Sequence, residues 1–154
     1  MSLEIERKFL VRETAMLRGL QGERLVQAYI ATTERATVRV RIAGERAWLT
    51  LKGATTGISR RELEYAIPVA DAELCLAELC GEGVVSKTRY RIPQGEHVWE
   101  VDVFDGANAG LVVAEIELAS EHEDFARPAW LGEEVSGDPR YFNSHLAERP
   151  FTRW

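Results

Sequence analysis

Leu3-Glu4-Ile5-Glu6-Arg7-Lys8-Phe9-Leu10 is the stretch on which the reading of this chain turns. Successive strand residues point to opposite faces, so Glu4, Glu6 and Lys8 share one face while Leu3, Ile5, Arg7 and Phe9 share the other. Alone, the stretch reads as a half-buried strand with charges to water and apolar residues to a core. Two carboxylates two residues apart, with a cation two further on, also offer oxygen ligands for a hard divalent metal and a partner for phosphate. The pattern recurs along the chain, and the recurrence favours the second reading.

Alternating segments predict seven more strands: 25–32, 37–43, 48–52, 59–69, 84–92, 98–104 and 111–118. Sorted by parity, Arg39 and Arg41 share a face opposite Val38, Val40 and Ile42. Thr50 and Lys52 oppose Leu49 and Leu51, and Arg60, Glu62 and Glu64 oppose Arg61, Leu63, Tyr65 and Ile67. Lys87, Arg89 and Arg91 align. Glu100 and Asp102 oppose Trp99, Val101 and Val103, and Glu115 and Glu117 oppose Ala114, Ile116 and Leu118. With the first strand, one face carries eight acids and eight bases, and five of the bases are Arg, whose fork suits phosphate oxygens.

Between the strands, Ala43-Gly44-Glu45 reads as a hairpin connection, while Pro93-Gln94-Gly95 and residues 105–110 read as turns. Residues 14–20 form a short helix or turn. Asp71 to Leu79 predicts a helix with Asp71 at its start and Gly81 after its end, and Asp138-Pro139 opens a helix reaching about Ala147. Neither repeats nor a linker interrupt the sequence, which predicts a single domain over residues 1–154.

Composition narrows the classes. Hydrophobic content is 45 % and charged content 29 %, ordinary for a globular protein with a core. No apolar run approaches the roughly 20 residues of a membrane span, and the charged N-terminus leaves no signal-peptide core, so the expectation is a cytoplasmic protein with no membrane partner. A net charge of −6 argues against nucleic acid as a partner, yet leaves room for a small anion at a local basic cluster. Cys75 and Cys80, five apart on the predicted helix, are expected on different faces as reduced thiols. His97, His122 and His145 are scattered and suggest no zinc site.

Two geometries suit a sheet with one apolar and one charged face. An open sheet would turn its charges to water as cross-strand ion pairs, each worth little. A closed barrel would turn them inward, and about eight strands are enough to enclose one small ligand. An interior with so many charges must be wet, paired, or built for a charged ligand.

Glu4-Ile5-Glu6-Arg7-Lys8 resembles the ExExK signature of the CYTH superfamily, the triphosphate tunnel metalloenzymes. Gln27-Ala28-Tyr29, Val38-Arg39-Val40-Arg41, Thr50-Leu51-Lys52, Ser59-Arg60-Arg61-Glu62-Leu63-Glu64, Lys87-Thr88-Arg89-Tyr90, Glu100-Val101-Asp102-Val103-Phe104 and Glu115-Ile116-Glu117 follow in the family's order. The resemblance covers nearly the whole chain, and the length is similar to that of the short bacterial members that hydrolyse inorganic triphosphate. It implies an α+β fold dominated by an eight-stranded antiparallel tunnel with helices outside, and dependence on Mg²⁺ or Mn²⁺. Arg91 and the tail Pro150-Phe151-Thr152-Arg153-Trp154 match nothing in the pattern.

The expected reaction is transfer of the terminal phosphoryl group of a triphosphate, most simply inorganic tripolyphosphate, to water. Lys8, Arg39, Arg41, Lys52, Arg60, Lys87 and Arg89 form the expected phosphate clamp. Glu4, Glu6, Glu115 and Glu117 are the expected metal ligands, with Glu62, Glu64, Glu100 and Asp102 either joining them or fixing the bases. Glu4, Glu6, Tyr29 and Lys52 are the expected catalytic residues. The resemblance implies a Tyr29–Lys52 hydrogen bond that helps activate water; a plain aromatic strand residue with a satisfied hydroxyl is the alternative for Tyr29. The same tunnel also suits an adenylate cyclase, a thiamine triphosphatase, a nucleoside triphosphatase or a non-catalytic polyphosphate- or nucleotide-binding module. The chain shows no insert for a base or thiazole, and an anion binder gains nothing from its acidic pairs. A monomer or a homodimer is expected.

Overall fold

In a computed structural model, residues 3–154 are described. Nine strands form: β1 (Leu3–Val11), β2 (Glu23–Thr32), β3 (Ala36–Ala43), β4 (Arg46–Gly53), β5 (Ser59–Ile67), β6 (Val85–Gln94), β7 (His97–Phe104), β8 (Val112–Glu117) and β9 (Leu131–Glu134). The hydrogen-bonded order is β5-β4-β3-β2-β6-β7-β8-β1-β9, all antiparallel. Leu3, Glu4 and Ile5 also pair with Arg61, Arg60 and Ser59, so β1 joins β5 and closes eight strands into a barrel. That closure removes the open-sheet alternative. β9 continues along the same edge of β1, where Phe9 and Val11 oppose Glu134 and Leu131.

The strands match the alternation closely, with ends displaced by one or two residues; β5 stops at Ile67 because Pro68 cannot extend a ladder. β9 is invisible to the alternation, since four residues reading Leu-Gly-Glu-Glu are too short to show a period. β2 carries a bulge between Tyr29 and Ala31, which inserts Ile30 and re-aims the strand end.

Outward-facing apolar residues make two of the apolar clusters. Ile5, Phe9, Trp99, Val101, Ala114 and Ile116 pack beneath the segment carrying Trp130 and Leu131, where Trp99 meets Phe9, Phe125 and Trp130 edge to face. Arg7 lies on this outer face, with its Nε 2.8 Å from Glu134. A helix, α1 (Val69–Leu74), covers Val40 and Ala47. It starts two residues before Asp71, behind Pro68, and Asp71 makes no capping bond. It then widens into a π-turn (Cys75–Leu79), in which Cys80 N–H donates to Cys75 O. The wider turn brings both cysteines against the same core rather than onto different faces, and both are free thiols.

At one end of the barrel, the inward rows change from charged to apolar. Leu10, Val85, Phe104 and Val113 have the parity of Lys8, Lys87, Asp102 and Glu115, and they pack with Val135, Tyr141 and Leu146. The C-terminal segment therefore stops the barrel at that end. It is a 3-10 turn (Pro139–Tyr141), an extended Phe142, and a short helix α2 (Asn143–Glu148), in place of the single helix expected from Asp138. Asp138 does cap the turn through Arg140 N–H. The tail then docks on the turn after β7: Asn108 Oδ1 accepts from Phe151 N–H at 2.8 Å, and Thr152 Oγ1 donates to Ala107 O at 2.7 Å. These bonds tie the chain that follows α2 to the barrel.

Candidate active site

The barrel encloses a cavity of about 280 Å³. Fifteen of the sixteen charged residues sorted by parity line it. The sixteenth, Asp102, is wholly buried in the wall among them. Period-two alternation placed each of these side chains inside, because closing the sheet leaves the pleat intact.

The walls are segregated by charge. In the barrel order β1 lies opposite β2, and β8 lies opposite β3. Glu4 and Glu6 of β1 and Glu115 and Glu117 of β8 make an acidic wall. Arg39 and Arg41 of β3, joined by Lys87 and Arg89 of β6, make a basic one. Register puts like charges face to face, Glu6 with Glu117 and Glu100 with Glu115. Such pairs oppose folding unless something neutralises them.

In the metal-free tunnel the acid carboxyls are displaced in opposite directions by their neighbours. Burial, then Glu115 and Glu4, push Glu6 up to about 8. Burial works against an ionised Glu115 too, but Lys8, Arg89 and Lys87 outweigh it and hold that carboxyl well below its usual range, with a hydrogen bond from Glu6. Glu4 is raised by burial and by a hydrogen bond shared with Glu62, while that bond and Lys52 lower Glu62 against its own burial. Glu117 is raised by burial, Glu4 and Glu100. The Glu6–Glu115 and Glu4–Glu62 pairs thus resist joint ionisation.

Most bases hold an acid. Lys52 Nζ lies 3.2 Å from Glu4 and 3.3 Å from Glu62, and Arg60 lies 3.6 Å from Glu4. Asp102 receives Arg89 in a two-pronged contact at 2.7 and 2.9 Å and Lys87 at 2.7 Å, which keeps it ionised despite burial. Lys8 lies 3.6 Å from Glu115, and Lys8 Nζ also donates to Tyr141 O. Arg91, at the half-exposed mouth, joins Glu23 and Glu100. Arg39 reaches Glu64 at 3.7 Å, but its buried Nε has no hydrogen-bond partner among the described residues. Arg41 has no acid within ion-pair distance among the described residues, and burial with Arg39 and Arg89 nearby lowers it to about 10. A buried guanidinium, Arg39, and a half-buried one, Arg41, with donors to spare and facing one cavity, are arranged for an anion.

The expected Tyr29–Lys52 hydrogen bond is not made. Lys52 turns to Glu4 and Glu62 on its own side of the barrel, while the Tyr29 hydroxyl accepts from Gln27 Nε2 at 3.5 Å. Gln27, Thr50 and Asn143 are polar residues of the site that lie outside the rows of charged side chains. Gln27 has inward parity with Tyr29 and Thr50 with Lys52, so the alternation contained both. Nothing in the sequence marked Asn143, which α2 delivers from the far end of the chain. Thr50 Oγ1 donates to Glu64 at 2.9 Å, and Phe142, Asn143 and Ser144 line the cavity.

A closed eight-stranded antiparallel barrel with facing acidic and basic interior walls defines the class, a charged-tunnel protein. The chain belongs to the CYTH domain family, whose pattern matches residues 2–147. It is 46 % identical over 151 residues to an inorganic triphosphatase of Acetivibrio thermocellus, covering 98 % of this chain and 97 % of the relative. It is 40 % identical over 149 residues to an inorganic triphosphatase of Nitrosomonas europaea, covering 94 % and 96 %. A crystal structure of an inorganic triphosphatase superposes with a TM-score of 0.67 at 36 % identity, covering 93 % of this chain and 96 % of that one. A Pyrococcus horikoshii protein shares the fold at 24 % identity, with a TM-score of 0.56 and coverage of 76 % and 79 %.

Proposed function

We propose that this protein, as one tunnel domain, hydrolyses inorganic triphosphate to diphosphate and phosphate with the help of a divalent cation. The observation that carries the reading is the incompletely paired basic wall, Arg41 and Arg39 Nε, facing a wall of mutually repelling acids. The names of the similar proteins support the same substrate.

The substrate's phosphate oxygens lie against Arg39, Arg41, Lys87 and Arg89, with Lys8, Lys52 and Arg60 reaching those that remain. Phosphoryl transfer needs mainly positioning and charge neutralisation, and this tunnel supplies both without a nucleophilic Ser or Cys. The Phe104 ring, 5.2 Å from Lys87 Nζ, and the Phe142 ring, 5.6 Å from Lys8 Nζ, back these two ammonium groups with aromatic faces.

The acids fit a hard cation. All are oxygen donors, and protons already stand between them where positive charge is needed. Among the described residues no three acids, histidines or cysteines converge into a ready cage. Mg²⁺ is bound in that manner when one or two carboxylates, water and substrate phosphates share its coordination. Glu4, Glu6, Glu115 and Glu117 would hold Mg²⁺ or Mn²⁺, with Glu62, Glu64 and Glu100 behind them; Asp102 is committed to Lys87 and Arg89. When bound, the cation supplies charge neutralisation between acids and substrate and lowers the pKa of a water. The test is phosphate and cyclic-nucleotide release from tripolyphosphate, diphosphate, thiamine triphosphate and nucleoside triphosphates, with Mg²⁺, Mn²⁺ and a chelator control. Tripolyphosphate should be the preferred substrate and chelation should abolish turnover; full turnover in chelator would remove the metal role.

A further inference from the structure

Of the eight inward cations, seven have a carboxylate oxygen no farther than 3.7 Å away. The eighth, Arg41, is held instead by an amide: its Nε donates to Gln27 Oε1 at 2.8 Å. Gln27 is fully buried and sits directly across from Arg41 in the β2–β3 register. Gln27 Nε2 donates onward to Asn143 Oδ1 at 3.3 Å, and the same oxygen accepts from Lys87 Nζ at 2.9 Å. The four side chains form one line, Arg41–Gln27–Asn143–Lys87.

The direction of this line is forced. Arg and Lys can only donate, so each end demands an amide oxygen. Gln27 must turn its oxygen to Arg41, which leaves its NH₂ for Asn143 Oδ1. Asn143 must turn its oxygen to Lys87 and Gln27, which leaves its own NH₂ facing a cavity that the residue lines. An amide fixes a guanidinium as well as a carboxylate does in geometry, but it does not neutralise it. A carboxylate at position 27 would have the same shape and would cancel the charge that the ligand needs.

We infer that Gln27 and Asn143 are positioning residues, a neutral relay that orients Arg41 and Lys87 toward the terminal phosphates while leaving the Arg41 charge uncompensated. The inference rests on the triphosphatase reading for its substrate. It also gives α2 a place in the site, since Asn143 is its first residue and links the basic wall to the C-terminal segment.

The experiment is steady-state kinetics on tripolyphosphate with Mg²⁺ for wild type, Gln27→Glu and Asn143→Asp. Alongside run melting curves in chelator, with and without tripolyphosphate. Both substitutions keep shape and add a negative charge. KM should rise about tenfold or more, as expected for weakening one charge-assisted phosphate contact, with a smaller change in kcat. The ligand-free melting temperature should stay level or rise, because Arg41 or Lys87 gains an ion pair, while the shift induced by tripolyphosphate shrinks. A merely structural role would lower the melting temperature and leave KM alone. If Gln27→Glu does not fold, the half-buried Asn143→Asp carries the same test. KM and ligand-induced shifts within twofold of wild type in folded variants would overturn the relay. A wild type that releases no phosphate from tripolyphosphate would overturn the proposed reaction, and the melting arm would still judge the relay.

Discussion

Glu6 and Glu117 stand directly opposite one another on β1 and β8, and both line the tunnel. Burial, Glu115 and Glu4 raise Glu6, and burial, Glu4 and Glu100 raise Glu117, so both carboxyls sit where ionisation costs stability that a cation would return. Neutralising one member should leave the metal-free protein as stable as before or slightly more so. In Glu117→Gln, hydrolysis should fall sharply. Most of the rise in melting temperature that wild type shows with tripolyphosphate and Mg²⁺ should vanish. A wild-type melt indifferent to both would exclude the tunnel as a binding site.

Glu6 also sets a pH dependence. Its carboxyl is raised from 4.5 to about 8 in the folded chain. The folded state therefore binds the proton more tightly than the unfolded state, and the stabilisation is complete below the unfolded value. It is lost progressively as pH rises through the folded value. In chelator, the melting temperature should decline between about pH 5 and about pH 9, and Glu6→Gln should flatten the decline. Parallel profiles for the two proteins would show that Glu6 is not the titrating group.

The clamp cations should separate by what they hold. Arg41→Ala removes a cation with no acid partner among the described residues, so it should weaken tripolyphosphate binding by about 1.5–3 kcal/mol, and by stranding the buried Gln27 Oε1 it should cost the ligand-free fold about 1–3 kcal/mol. Arg89→Ala removes one of two cations on buried Asp102, and should weaken binding and also destabilise the fold by about 3–5 kcal/mol. Arg7→Ala, on the outer face, should leave binding unchanged. Calorimetric titration with parallel melts reads all three, and equal binding losses in Arg7→Ala and Arg41→Ala would refute the assignment of inside and outside.

Gly83 ties the loop before β6 to α2. A Cβ built there would lie 1.7 Å from Ala147 O, a backbone atom that cannot yield without moving the helix. Gly83→Ala should lower the melting temperature and raise KM for tripolyphosphate, because displacing α2 displaces Asn143. Gly81→Ala, where nothing lies within 4 Å, should stay within about 0.5 kcal/mol of wild type. Matching behaviour of the two variants would show that α2 does not depend on this contact.

Alternation alone decided which side chains face the tunnel, because a strand's period of two is a local property that closure does not disturb. Lys8, Arg39, Lys87, Glu115 and their neighbours were legible for that reason, and so was the ordered set of motifs that marks the family. Partners were not legible. Whether Lys52 reaches Tyr29 or Glu4 depends on which strands meet across the barrel, and that follows from the pairing of Leu3–Ile5 with Ser59–Arg61, residues more than fifty positions apart. The π-turn that turns Cys75 and Cys80 toward one core, the four residues of β9, and the arrival of Asn143 beside Gln27 are likewise products of packing. Local periodicity sorts residues into inside and outside; only the closed barrel brings distant ones within hydrogen-bond reach, because those contacts exist only once the chain has folded around them.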